Sequence, residues 1–152
     1  MARERVIVID VSVTTAPAGD VIVLDLWAAD APPAETGIRL LQVEPRRWWL
    51  IGAGEGAADI AAGIADSGAV TPIGGGLVRA TLDGPGWRTL LMVSGCFDAE
   101  DPSFGIGQVA ATTIHHVPVW IAVTGDTTCE VYMASSYAPA LTELWAGANN
   151  PA

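Results

Sequence analysis

Two stretches of this chain follow the same succession of local structures. Residues 40–68 read as a strand, a turn at Glu44-Pro45, a second strand through Ile51, a short glycine-rich bridge and a helix over 57–66. Residues 119–147 repeat that order: strand, hairpin turn at Gly125-Asp126, strand over 130–133, short bridge, and a helix capped by Ser136. Two copies of a ββα unit predict a duplicated α+β architecture with a mixed or antiparallel sheet. The helix of the first copy has one narrow apolar face, Ile60 and Ile64, four residues apart. In the second, Leu141, Leu144 and Trp145 share a face, and Pro139 falls early enough that no intrahelical donor is lost.

The segments around the repeat are strand-rich. Residues 6–13 and 21–27 are β-branched runs separated by Pro17 and Gly19, which predicts an opening hairpin. Residues 31–37, with Pro32 and Pro33, read as a linker. Gly74-Gly75-Gly76 punctuates the middle, and residues 77–82 alternate as a strand. Asp83 to Pro85 then start a helix in which Trp87, Leu90 and Leu91 recur at helical spacing, ended by Gly95. An acidic loop over 98–107 leads to a strand over 108–115. At 152 residues, everything fits one domain spanning 1–152.

Composition excludes several classes of function. Hydrophobic residues make up 51% and charged residues 16%, so the chain is a folded protein with more apolar surface than a small monomer needs to hide. All seven basic residues are Arg, which rules out Schiff-base, P-loop and general-base lysines. A net charge of −10 argues against nucleic acid and against an anionic membrane surface. Cys96 and Cys129 form neither a CxxC pair nor a disulfide framework. Asp10 interrupts the first apolar run too early for a signal peptide, so the expected location is cytoplasmic.

No catalytic, cofactor-binding or metal residue is expected. Gly52-Ala53-Gly54-Glu55-Gly56-Ala57 matches a dinucleotide fingerprint in letters, but the ribose-binding acid about twenty residues on is missing from Thr71-Pro72-Ile73-Gly74. The glycines are better read as a strand-to-helix turn. His115-His116, read as strand neighbours, point to opposite faces and cannot share a metal. Asp98, Glu100 and Asp101 lack the glycine and glutamate spacing of a calcium loop. Ser135-Ser136 lacks the flanking glycines of a nucleophile elbow.

The second half carries an ordered series: Val78-Arg79-Ala80-Thr81-Leu82-Asp83-Gly84-Pro85, Gly95-Cys96-Phe97-Asp98, Thr112-Thr113, His116-Val117-Pro118-Val119, Glu130-Val131-Tyr132-Met133 and Ser136-Tyr137-Ala138. With Trp48-Trp49 upstream, this resembles the gamma subunit of heterotetrameric sarcosine oxidase over about residues 38–147. The resemblance implies a fold like the folate-binding domain of the glycine-cleavage aminomethyltransferase. It further implies a packing role beside larger alpha and beta subunits, which carry the FAD, FMN, NAD and tetrahydrofolate sites, and a small zinc-holding delta subunit. Ser135 stands where the family has arginine, and residues 71–76 are glycine-rich where it has an Asp-Ser strand start, which leaves the substrate open.

Two functions follow: a non-catalytic subunit of a flavin-dependent N-methyl amine oxidase or dehydrogenase, or a stand-alone folate-binding or one-carbon module. For the first, the expected partner contacts are Trp48 or Trp49 with Arg46 and Arg47. Adjacent strand residues face opposite sides, so only one of the two Trp enters the core.

Overall fold

A computed structural model describes residues 9–28, 32, 39–52, 56–95 and 97–149. Among these residues nine strands, three α-helices and a 3-10 turn follow one another: β1 (Ser12–Pro17), β2 (Val21–Leu26), β3 (Arg39–Glu44), β4 (Arg47–Ile51), α1 (Gly56–Gly63), β5 (Gly68–Gly74), β6 (Leu77–Asp83), α2 (Trp87–Ser94), β7 (Val109–Ile114), β8 (Val117–Gly125), β9 (Thr128–Ala134), a 3-10 turn at Ser135–Tyr137 and α3 (Ala138–Asn149). The strands form a large sheet in the order β1-β6-β9-β8-β7 and a small one in the order β3-β4-β2-β5. Every pairing is antiparallel, which settles the sheet type left open by the sequence.

Alternation along the strands sets the layers. On β9, Cys129, Val131 and Met133 face a core shared with α2 and α3, while Tyr132 faces the small sheet. On β2 and β4, Leu24, Leu26 and Leu50 face Ile60 and Ile64 of the α1 region, while Val21, Trp49 and Ile51 face the large sheet. The result is four layers: α2 and α3, large sheet, small sheet, α1.

The ββα echo corresponds to two units of one topology. In the small sheet, β3-β4-β2-β5 is built from β2, the hairpin β3–β4, α1 and β5. In the large sheet, β8-β9-β6-β1 has the same order, built from β6, the hairpin β8–β9 and α3, with β7 added outside β8. This is a βαββαβ-type arrangement of strands, occurring twice. The counterpart of β5 in the second unit is β1, which comes from the start of the chain rather than from after α3.

That exchange overturns the expected opening hairpin. Residues 6–8 of the expected first strand lie outside the described residues; β1 starts at Ser12 and pairs with β6, whereas β2 pairs with β4 and β5. A non-local partner wins over proximity here. A second difference is β5, where Gly68 through Gly74 form a strand despite Pro72. Pro is tolerated because β5 is an edge. Gly68 is required by close approach, since a Cβ there would lie 2.6 Å from the Asp25 carbonyl oxygen of β2. The expected linker falls outside the described residues apart from Pro32, as does the bridge over 53–55.

Candidate partner interface

The β3–β4 turn presents the residues singled out for partner contact. Strand alternation sends Trp49 into the space between the sheets, 6% exposed, with its ring 4.6 Å from that of Trp120 and 6.5 Å from Tyr132. Trp48 turns to the α1 side, half-buried, and its indole nitrogen has no hydrogen-bond partner. The two rings therefore go to opposite faces of the small sheet, Trp49 into the layer between the sheets and Trp48 partly buried against the α1-side cluster.

Both arginines hold the end of the small sheet. Arg46 occupies a left-handed turn position with φ 64°, and its guanidinium donates to the Trp27 carbonyl at 3.4 Å. Arg47 donates through Nε to Asp25 Oδ1 at 2.7 Å and lies 3.1 Å from Glu44. The hydrogen bond and charge of Asp25 hold the Arg47 guanidinium above its ordinary pKa. Beside this turn Trp27 is 58% exposed, tied in by Leu26 N–H to the Arg46 carbonyl and Trp27 N–H to Ser67. Sequence reading missed Trp27 because it looked like the last residue of an ordinary strand. It is the most exposed tryptophan among the described residues and sits beside two arginines, the residue types that anchor protein interfaces.

Several other polar groups hold the fold together. Glu130 is 8% exposed and accepts from Tyr132 Oη at 2.6 Å. Arg39 from the small sheet meets it at 2.5 Å, and Arg79 lies at 3.7 Å. This ion pair links β3 to β9 across the interior. Burial, then the hydrogen bond to Glu130, pushes the Tyr132 phenol well above its usual range. Cys129, on the opposite face of β9, is pushed up to about 12 by burial, which makes it an inert thiol. Cys96 lies outside the described residues. Arg88 stacks 4.2 Å over the Trp87 ring and donates to the Ala99 carbonyl, clamping the acidic loop to α2.

The remaining motifs have ordinary roles. His115 and His116 have φ of 47° and 67°, so they form the tight turn between β7 and β8 rather than the expected strand end. Histidine is among the residues that tolerate this region. Asp98 and Asp101 accept from the backbone N–H groups of Glu100 and Ser103. Bonds from Ser103 hold the Asp101 carboxyl below its ordinary pKa. Ser135 and Ser136 form the 3-10 turn that leads into α3. Among the described residues no three His, Cys, Asp or Glu side chains gather to hold a metal, and no helix is long and apolar enough to cross a membrane.

No known family and no curated protein matches this sequence. Solved structures do match the fold. A chain of the heterotetrameric sarcosine oxidase from Corynebacterium sp. U-96, solved with pyrrole 2-carboxylate, superposes with a TM-score of 0.72 at 15% identity, covering 93% of this chain and 87% of that one. The glycine cleavage system aminomethyltransferase T from Bartonella henselae gives 0.65 at 16% identity over 91% of this chain. The match covers 46% of that enzyme, so this chain spans less than half its length. The regulatory subunit of aspartate kinase from Thermus thermophilus gives 0.50 at 13% identity, over 91% of this chain and 98% of that one. At these identities the likeness is one of fold: the duplicated, folate-binding-domain-like α+β arrangement expected from the sequence.

Proposed function

We propose that this chain is a non-catalytic subunit of a flavin-dependent, sarcosine oxidase-like complex, the counterpart of its gamma subunit, acting in the cytoplasm on an N-methyl amine. Larger alpha and beta chains would carry FAD, FMN, NAD and tetrahydrofolate, and a small delta chain zinc. The observation that carries this reading is near-complete mutual coverage with one chain of a heterotetramer, a chain of nearly this one's size. Trp48, Trp49, Arg46 and Arg47 are the proposed contact region. Trp27 joins them, and Trp49 serves by fixing the turn from within.

The alternative, a stand-alone folate-binding or one-carbon module, draws on the aminomethyltransferase likeness. It is the poorer reading because each of the five described arginines is engaged within the chain, so that the described residues offer the glutamate tail of a folate no ready cation.

The test is purification of the tagged chain from its own host, followed by native mass spectrometry and absorption spectroscopy. Assembly with larger flavin-bearing chains is expected. The chain alone should be colourless, inactive on sarcosine and related amines, and unable to bind tetrahydrofolate. Stoichiometric flavin, turnover or folate binding by the isolated chain would overturn the proposal. Trp27→Ala and Trp48→Ala are each expected to weaken assembly by about 2 kcal/mol while the free chain stays folded.

A further inference from the structure

The two sheets have four edges, and three of them carry features that discourage another strand from adding. β3 bears Arg39 and Glu44 and a register shift between Gln42 and Glu44. β5 contains Pro72 and faces a register shift at Val21/Ile22. On β1, the bond from Ala18 N–H to the Leu77 carbonyl sets the phase of the ladder, so Val13, Thr15 and Pro17 turn their backbone outward. Pro17 thus removes one outward donor.

β7 has none of these devices. Its sequence, Val-Ala-Ala-Thr-Thr-Ile, carries no charge and no proline, and its register with β8 is unbroken over six residues. The bond from Val123 N–H to the Gln108 carbonyl again fixes the phase. Ala110, Thr112 and Ile114 therefore bond to β8, and Val109, Ala111 and Thr113 direct N–H and C=O outward. Pro118, paired with Thr113, agrees with this phase because no donor is needed of it there. Among the described residues no strand hydrogen-bonds to that outer edge, although β3 of the small sheet lies against β7.

We propose that β7 is a strand-addition site, and that a segment of a different polypeptide extends the large sheet by pairing with Val109, Ala111 and Thr113. The inference rests on the reading of this chain as a subunit and adds the β7 edge to the contact region at the β3–β4 turn. Charge selects a foreign strand over a second copy, because two chains of net charge −10 repel. A carboxylate lies near each end of the edge. Glu44, which Arg47 already approaches at 3.1 Å, lines a cleft of about 320 Å³ with Gly107, Gln108 and Val109, and Glu143 lines an apolar groove of about 500 Å³ with His115, Val117 and Leu144. The fitting segment is an apolar, β-branched strand flanked by Lys or Arg, with backbone bonds giving affinity and the two hollows selecting side chains.

Hydrogen exchange followed by mass spectrometry, on the free chain and on the complex from the host, tests this. In the free chain the Ala111 and Thr113 amides should exchange rapidly. In the complex they should slow by about a hundredfold or more. Ala111→Pro removes one outward donor and spares the β7–β8 ladder, and should weaken assembly about tenfold or more. Thr15→Pro on β1 is the matched control and should not. Should Ala111→Pro disturb folding by circular dichroism, Ala111→Lys takes its place, and the wild-type exchange data stand regardless. A complex whose Ala111 and Thr113 amides remain fast overturns the edge assignment and leaves the subunit reading intact. A homodimer that protects those amides replaces the foreign strand with a second copy. A chain that stays monomeric in its host overturns both readings.

Discussion

The two ββα units share a strand order but not a coat. Among the described residues, α2 and α3 build a core of eighteen buried residues behind the large sheet, with Trp87, Leu90, Leu91, Leu141 and Trp145 sealed from solvent. Behind the small sheet, five of the described residues are buried, of which Ile60 and Ile64 come from the α1 region. The first is close to a complete domain core. The second depends on its other face, where Trp49, Val21 and Ile51 pack against Tyr132 and Ala122. A duplicated topology thus does not imply duplicated stability. One unit supplies the foundation, and the other is held to it by the layer between the sheets.

This contrast can be broken by truncation. Trp145→Ala empties a sealed site and removes the donor to Ser94 Oγ at 3.1 Å, with an expected loss of about 3–5 kcal/mol in urea or thermal unfolding. Ile60→Ala behind the small sheet should cost about 2 kcal/mol, at the low end for such deletions, because the thinner layer can collapse. Equal losses would mean that the two coats contribute alike and the asymmetry is only apparent.

The layer between the sheets gives a sharper test. Glu130→Gln keeps the shape of the side chain but leaves Arg39 and Arg79 without their counter-charge. A loss of about 2 kcal/mol is expected, less than for a fully buried pair because both arginines are about one-third exposed. Stability within a few tenths of a kcal/mol of wild type would show that apolar contacts alone join the sheets.

The smallest effect comes from alkali. The folded state keeps the Cys129 proton up to about 12, while an unfolded thiol releases it near its ordinary value of 9.0. The stability from the buried neutral thiol is therefore complete below pH 9 and is lost as pH rises toward 12. By pH 10 the loss should be about 1 kcal/mol, with Tyr132 adding in the same direction. Cys129→Ala should flatten this pH dependence between pH 9 and 10. An unchanged slope would remove Cys129 as its source.

Local periodicity made much of the fold legible. The hairpins β3–β4 and β8–β9, the apolar faces of all three helices and the duplicated order could be read because neighbours in sequence are also neighbours in space. The pairing of β1 could not, since its partner lies some seventy residues away and nothing local marks it. β5 was hidden by Gly68, Gly74 and Pro72, which signal a loop unless the strand is known to be an edge. In the candidate interface, alternation correctly separated Trp48 from Trp49. The exposure of Trp27 depends on the β3–β4 turn reaching it, and the Arg39–Glu130 pair on how two sheets stack. Neither leaves a mark in sequence.

The placement of β1 also has a consequence for biosynthesis. The Ser12 hydroxyl bonds to the carbonyl of Asp83, 71 residues later. At translation rates of 5–20 residues per second, β1 leaves the ribosome roughly 4 to 14 s before its mate has been made. During that interval a nascent Ser-Val-Thr-Thr-Ala-Pro strand has no native place to dock, even if the small sheet around β2 has already condensed. The second unit takes its fourth strand from before the small sheet rather than from after α3, so its closure waits on two strands made about seventy residues apart.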